Sequence, residues 1–108
     1  MPAFYVMLFK TATHQPVYTF IQSLHEQTTS KILRIFNLIE TYGMVIGMPY
    51  VKQIDRSLYE VRIRGKEEIR FLATVIENNI IVLHGFRKKR RKIASKDIET
   101  AKNRLTMI

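Results

Sequence analysis

The chain contains no cysteine, has half as many acidic as basic residues, and carries no apolar run long enough for a membrane. Each shortage excludes something. Without cysteine there is neither a disulfide framework nor a thiolate metal site. The three histidines, His14, His25 and His84, show no metal-ligand spacing, so no metal centre is expected. The longest N-terminal apolar run, Phe4 to Phe9, is too short for a signal-peptide core or a transmembrane helix and lacks a basic flank. It reads as a strand, and the expected compartment is the cytoplasm. There is also no glycine-rich phosphate loop, no paired-carboxylate motif and no Ser-His-Asp arrangement.

The acid deficit has a positive counterpart. Eighteen Lys and Arg against nine Asp and Glu give a net charge of +9. That narrows the partners to nucleic acid, an acidic protein or an anionic surface. At 108 residues the chain suffices for one domain, residues 1–108, with one real core.

Local patterning divides the chain in two. Pro16 suits the first turn of a helix, and Val17, Phe20, Ile21 and Leu24 follow as an apolar stripe. Thr28, Thr29 and Ser30 can cap a second helix with the stripe Ile32, Ile35, Phe36 and Ile39, widened by Leu33 and Tyr42. Gly43 ends it, and Gly47 and Pro49 mark a loop. From Tyr50 onward the period becomes two. Val51 to Ile54 is a short strand, and in Leu58 to Arg64 the residues Tyr59, Val61 and Ile63 face one way, Glu60, Arg62 and Arg64 the other. Ile69 to Glu77 is the next strand. The turn Glu77-Asn78-Asn79 leads into Ile80 to Phe86, apolar on both faces and therefore central. A last helix runs from about Ser95 to Leu105, with Ser95 as cap, Asp97 and Glu99 at its positive end and Lys102 and Arg104 at the other.

The candidate functional residues gather late in the chain. Arg62 and Arg70 sit inside strands, on the face opposite the two helices if their strands pair through Gly65-Lys66. They are either solvated cations of a sheet face or planar forks for phosphate oxygens. His84 is either a satisfied strand-end imidazole or a general acid or base. Phe86 suits closing the core more than stacking on a base. Arg87, Lys88, Lys89, Arg90, Arg91 and Lys92 then follow without a break. Arg87 and Lys88 are held nearest the strand end, and Lys89 to Lys92 suit electrostatic attraction.

The segments Leu58-Tyr59-Glu60-Val61-Arg62-Ile63-Arg64, Ile69-Arg70-Phe71-Leu72 and Leu83-His84-Gly85-Phe86-Arg87-Lys88-Lys89 resemble one family, the phage-derived HigB-like branch of the RelE/ParE toxins of bacterial toxin–antitoxin pairs. The resemblance extends upstream to Gly47-Met48-Pro49-Tyr50-Val51-Lys52 and downstream to Ile98, Glu99, Ala101, Lys102 and Arg104, about residues 16 to 105. It implies an α+β, RelE-like fold: two N-terminal helices on a twisted, mostly antiparallel sheet of four to five strands, with a short C-terminal helix. It further implies a metal-free, cofactor-free endoribonuclease that cleaves mRNA in the ribosomal A site. The family's arginines fall on Arg62 and Arg70, its later cation on Arg87 or Lys88, and its His-Gly-Phe on His84, Gly85 and Phe86. On this reading Arg62, Arg70, His84, Arg87 and Lys88 carry the chemistry. Arg64, Lys66, Phe86, Lys89, Arg90, Arg91 and Lys92 bind RNA. The implied partners are the ribosome, mRNA and a cognate antitoxin, acidic at the contact and of helix-turn-helix type, with no membrane involved. RelE has a lysine where Glu60 stands and a tyrosine near Ile93. Two other classes remain open: a ParE-like gyrase poison, and an inactive nucleic-acid-binding phage remnant.

Overall fold

The longest helix is built from four residues. Ile32, Ile35, Phe36 and Ile39 fall on one side of a 3.6-residue period, and all four are buried in α2, Glu26–Tyr42. A computed structural model describes residues 4–9 and 16–108 of the chain. The helix starts earlier than the threonine pair suggests. His25 stands at the N-cap without a side-chain bond, while the Thr29 hydroxyl donates back to the Glu26 carbonyl and that of Thr28 donates to Glu67. Leu33 and Tyr42 do not widen the buried stripe; both are exposed. Helix α1, Pro16–Gln22, precedes α2, and Val17 and Leu24 are buried beside it.

Five strands follow the expected periods: β1 Tyr5–Leu8, β2 Val51–Gln53, β3 Tyr59–Ile63, β4 Ile69–Ile76 and β5 Asn79–Arg87. They form one sheet in the order β1-β5-β4-β3-β2. Among the described strands only the β1–β5 pair is parallel. A 3₁₀ turn, Met44–Ile46, links α2 to β2, and α3, Ser95–Leu105, closes the described chain. The β4–β5 turn places its positive φ (57°) on Glu77 rather than on an asparagine. At the β2–β3 turn the Asp55 carboxylate accepts from the Ser57 and Leu58 backbone N–H groups. Chiefly through the Ser57 bond, its carboxyl is held below the ordinary aspartate range.

The two sheet faces differ. Val61, Phe71 and Gly85 lie side by side on the face toward α1 and α2, where the Phe71 ring meets Phe36 and Phe20 edge-on at 5.3 and 6.1 Å. Gly85 has to be glycine at this point. A Cβ there would lie 2.7 Å from both phenyl rings. The opposite face carries Glu60, Arg62, Arg70, Leu72, His84 and Phe86, and α3 covers part of it. Between Leu72 and Ala73 the register shifts: Leu72 pairs with His84 and Ala73 with Val82. Leu83 is therefore a bulge residue, and it turns His84 toward α3. Ser95 does not cap that helix; Ala94 occupies the cap without a side-chain bond.

Arg62 and Arg70 do lie directly opposite each other on the face away from α1 and α2. The solvated alternative does not describe Arg70. It is 3% exposed, and Glu60 beside it 1%. Glu60 Oε1 accepts from Arg62 Nε at 2.9 Å, and its Oε2 lies 3.4 Å from Arg70 Nε. That second pair is close in charge but misaligned, for both atoms are buried without a hydrogen bond. Arg70 spends its remaining nitrogens on the Ile69 carbonyl (3.0 Å) and on Glu68 (2.9 Å).

Two stability outcomes follow. Gly85→Ala should lower unfolding free energy by about 1–3 kcal/mol, the usual effect of overpacking, read as a lower urea midpoint. Arg70→Ala should cost about 3–5 kcal/mol, because Glu60 loses the more deeply buried of its two countercharges, whereas Glu60→Leu combined with Arg70→Met should recover most of that loss.

Candidate active site and nucleic-acid interface

Two cross-strand rows organise the α3 side of the sheet. One runs Arg62, Arg70, Phe86 and the other Lys52, Glu60, Leu72, His84. Within the first row the guanidinium open to solvent is that of Arg62, 12% exposed, with only its Nε committed to Glu60. Arg70 stands behind it as a support. Burial raises the Glu68 carboxyl, but the hydrogen bond and charge of Arg70 outweigh this, and it lies below the ordinary glutamate range.

His84 is fixed on three sides. Its Nε2 lies 2.7 Å from Asp97 Oδ1 in the first turn of α3. Its Nδ1 lies 3.4 Å from Arg104 Nη1, and its ring stacks on Phe86 at 5.4 Å. Guanidinium only donates, so Nδ1 is the acceptor and Nε2 carries the proton given to Asp97. Arg104 also donates to the Leu83 carbonyl at 2.7 Å, and burial lowers its proton affinity from the usual arginine value. Phe86 is buried as expected of a core residue.

The basic run does not behave as one block. Arg87, paired with Ile69, points to the α1 side: its guanidinium lies 5.8 Å above the Phe20 ring and 3.1 Å from Glu67. The expectation that Arg87 sits beside Arg62 and Arg70 is therefore corrected, because one step along a strand reverses the face. The hydrogen bond from Arg87 holds the Glu67 carboxyl below its ordinary range. Lys88 is tied at its backbone to the Glu68 carbonyl. Together with Phe86, Lys89, Arg90, Lys92 and Lys96 it lines a groove of about 650 Å³ between α1 and the start of α3. Arg91 is exposed but lies outside that lining. Arg64 and Lys66 are exposed near the β3–β4 turn, toward α2.

Sequence patterning passed over Glu60, Glu68, Asp97 and Arg104 as site-forming groups. The signal for Glu60 was present: Glu60-x-Arg62 puts opposite charges on one strand face. Asp97 has no local signal for meeting a residue thirteen positions away. Among the described residues there is no group of three or more His, Asp or Glu placed to hold a metal. No described helix is long and apolar enough to cross a membrane. His14 lies outside the described residues.

Comparison with known proteins places this geometry. The solved structure titled the YoeB dimer from Staphylococcus aureus aligns over 74% of this chain and 91% of that one, with a TM-score of 0.51 and 20% identity. The two share a RelE-like α+β fold of three helices and a five-stranded mixed sheet, as the sequence resemblance implies. A search of curated proteins gives no match. Residues 19–106 match the family described as phage-derived protein Gp49-like (DUF891), from α1 to beyond α3. The chain therefore belongs to the phage-derived Gp49-like family.

Proposed function

We propose that the protein is the toxin of a toxin–antitoxin pair, of the HigB-like kind, and an endoribonuclease acting on mRNA at the ribosome. The observation that carries this reading is a partly free arginine and an aspartate-oriented histidine on one sheet face, with a lysine-rich groove at the end of β5. The sequence resemblance supplies the substrate class, and the fold and family agree with it.

In this reading the ribose 2′-OH attacks the adjacent phosphorus and the P–O5′ bond breaks. The products are a 2′,3′-cyclic phosphate and a 5′-hydroxyl. The terminal nitrogens of Arg62 hold the non-bridging oxygens and stabilise the phosphorane. Arg70 acts through Glu60, as a positioning residue. Two acceptors on this face can take the 2′-OH proton, His84 Nδ1 and Glu60 Oε2. The His84 side chain is 17% exposed and that of Glu60 2%, so His84 is the base we assign. Asp97 orients it by the logic that serves histidine bases elsewhere. Arg104 must yield its 3.4 Å contact for the proton to arrive. Lys88, next after β5, is assigned to the leaving oxygen. Arg87 and Lys89 to Lys92 draw the polyanion in, with Arg64 and Lys66 on the far side of the sheet. An antitoxin with an acidic surface, of helix-turn-helix type, would inhibit by covering this basic face.

Expressed without a partner, the protein should stop amino-acid incorporation before thymidine incorporation; the reverse order in pulse labelling would identify a gyrase poison instead. Arg62→Ala should keep the folded state, since Glu60 retains Arg70, and should slow single-turnover cleavage on ribosomes about 10²- to 10³-fold. His84→Ala should slow it about 10²- to 10⁴-fold, and a single-turnover rate equal to wild type would exclude His84 as the base.

A further inference from the structure

A second cluster of cations lies where α2 crosses the end of β3. Lys31 and Arg34, three residues apart on α2, share one helix surface. Arg62 and Arg64 come from β3 and the residue just after it. Together with Tyr50 they line a pocket of about 110 Å³ floored by Ile35 and Ile63. The Arg62 N–H donates to the Tyr50 carbonyl at 2.8 Å, which ties the start of β2 to β3 at the pocket.

Two observations make this more than a solvated surface. The first is charge. Among the described residues no carboxylate comes within ion-pair distance of Lys31, Arg34 or Arg64, and Arg62 has only Glu60, which Arg70 shares. The lining of this pocket thus holds four cationic residues and no carboxylate. The second is space. Lys31 Nζ lies 3.4 Å from the Arg64 carbonyl, over the β3–β4 turn, and a Cβ on Gly65 would sit 2.5 Å from that nitrogen. A glycine here leaves room for an ammonium held above the backbone.

We propose that this pocket is a second RNA site, which grips a backbone phosphate of single-stranded RNA whose neighbouring segment lies at the candidate cleavage face. The inference rests on the ribonuclease reading and adds a path to it. The pocket is too small for a nucleoside but admits a phosphate group, and guanidinium forks suit its oxygens. Arg62 lines the pocket, and its side chain lies on the α3 side of the sheet beside Glu60. From it the row Arg62, Arg70, Phe86 crosses two strand spacings, about 10 Å, to the lysine-rich groove. A polymer with regularly spaced phosphates fits positive charge at both ends of that row. An acidic protein segment has no comparable reason to meet both.

The test is binding of a fluorescent 2′-O-methyl RNA oligonucleotide, which has no free 2′-OH and stays intact, measured by anisotropy from 0.1 to 1 M salt. Lys31→Ala combined with Arg34→Ala should lower the slope of log affinity against log salt by about 1.4. Binding should then be about 25-fold weaker at 0.1 M salt and nearly equal to wild type at 1 M. Lys31→Ala alone, at a partly exposed helix position, should lower the slope by about 0.7 and serves if the double variant does not fold. Arg56→Ala, in the β2–β3 turn at the other end of the strands, should leave the slope unchanged. A wild-type slope in both pocket variants would overturn the pocket while the ribonuclease reading stands. Wild-type protein that binds RNA with no salt dependence would overturn both. Loss of polyglutamate binding with RNA binding intact would reassign the pocket to an acidic protein and overturn the proposal.

Discussion

The Glu60 carboxylate is the group on which the α3 side of the sheet depends. Like charges directly opposite on neighbouring strands destabilise a sheet, and Arg62 and Arg70 are such a pair. Glu60 lies two residues before one and diagonal to the other, so a single anion serves both guanidinium groups. It serves them unequally. Arg62 receives an aligned bond and keeps its terminal nitrogens free, while Arg70 receives a close but misaligned charge and finds its hydrogen bonds at Glu68 and Ile69. A protein with a charge of +9 thereby seats a cation inside its fold and leaves the neighbouring one available.

Alternation along β5 then sorts the charges that follow. Arg87 belongs to the phenylalanine side, where Phe20 and Glu67 hold it, and the chain beyond it opens into the groove next to α3. The bulge at Leu83 is what lets His84 and Phe86 share the side of Arg70 while Val82 stays with the main core. Remove that extra residue and His84 would exchange sides with its neighbour, since a one-residue slip reverses every side chain.

Much of this was legible in the residues themselves. The α2 stripe, the period-two strands and the shared side of Arg62 and Arg70 follow from spacing alone, as does an interior place for β5, although the middle strand of the sheet is β4. What spacing does not report is cover. It places Arg70 on the outer face of a sheet but says nothing of Glu68 and Glu60 enclosing it. It shows six consecutive cations but not that the first turns away from the rest. Asp97 suits a helix N-terminus, as its position in α3 allows, yet its carboxylate is spent on His84. Thr28 and Thr29 suited a cap, and tertiary contact with Glu67 together with an earlier start at Glu26 took them into the first turn instead.

The attachment of α3 differs in kind from that of α2. Where α2 inserts four large apolar residues, α3 buries only Ala101 fully. Its grip is polar: Asp97 on His84, Arg104 on the Leu83 carbonyl, and Lys102 at 3.4 Å from Asp55. Only Ile98 and Leu105 add partly buried apolar contact, so local opening of α3 is expected to cost less than global unfolding. Amide protons of α3 should accordingly exchange with solvent ahead of those in β4 and β5, and each such opening would bare His84 and Leu72 with the rest of the sheet intact.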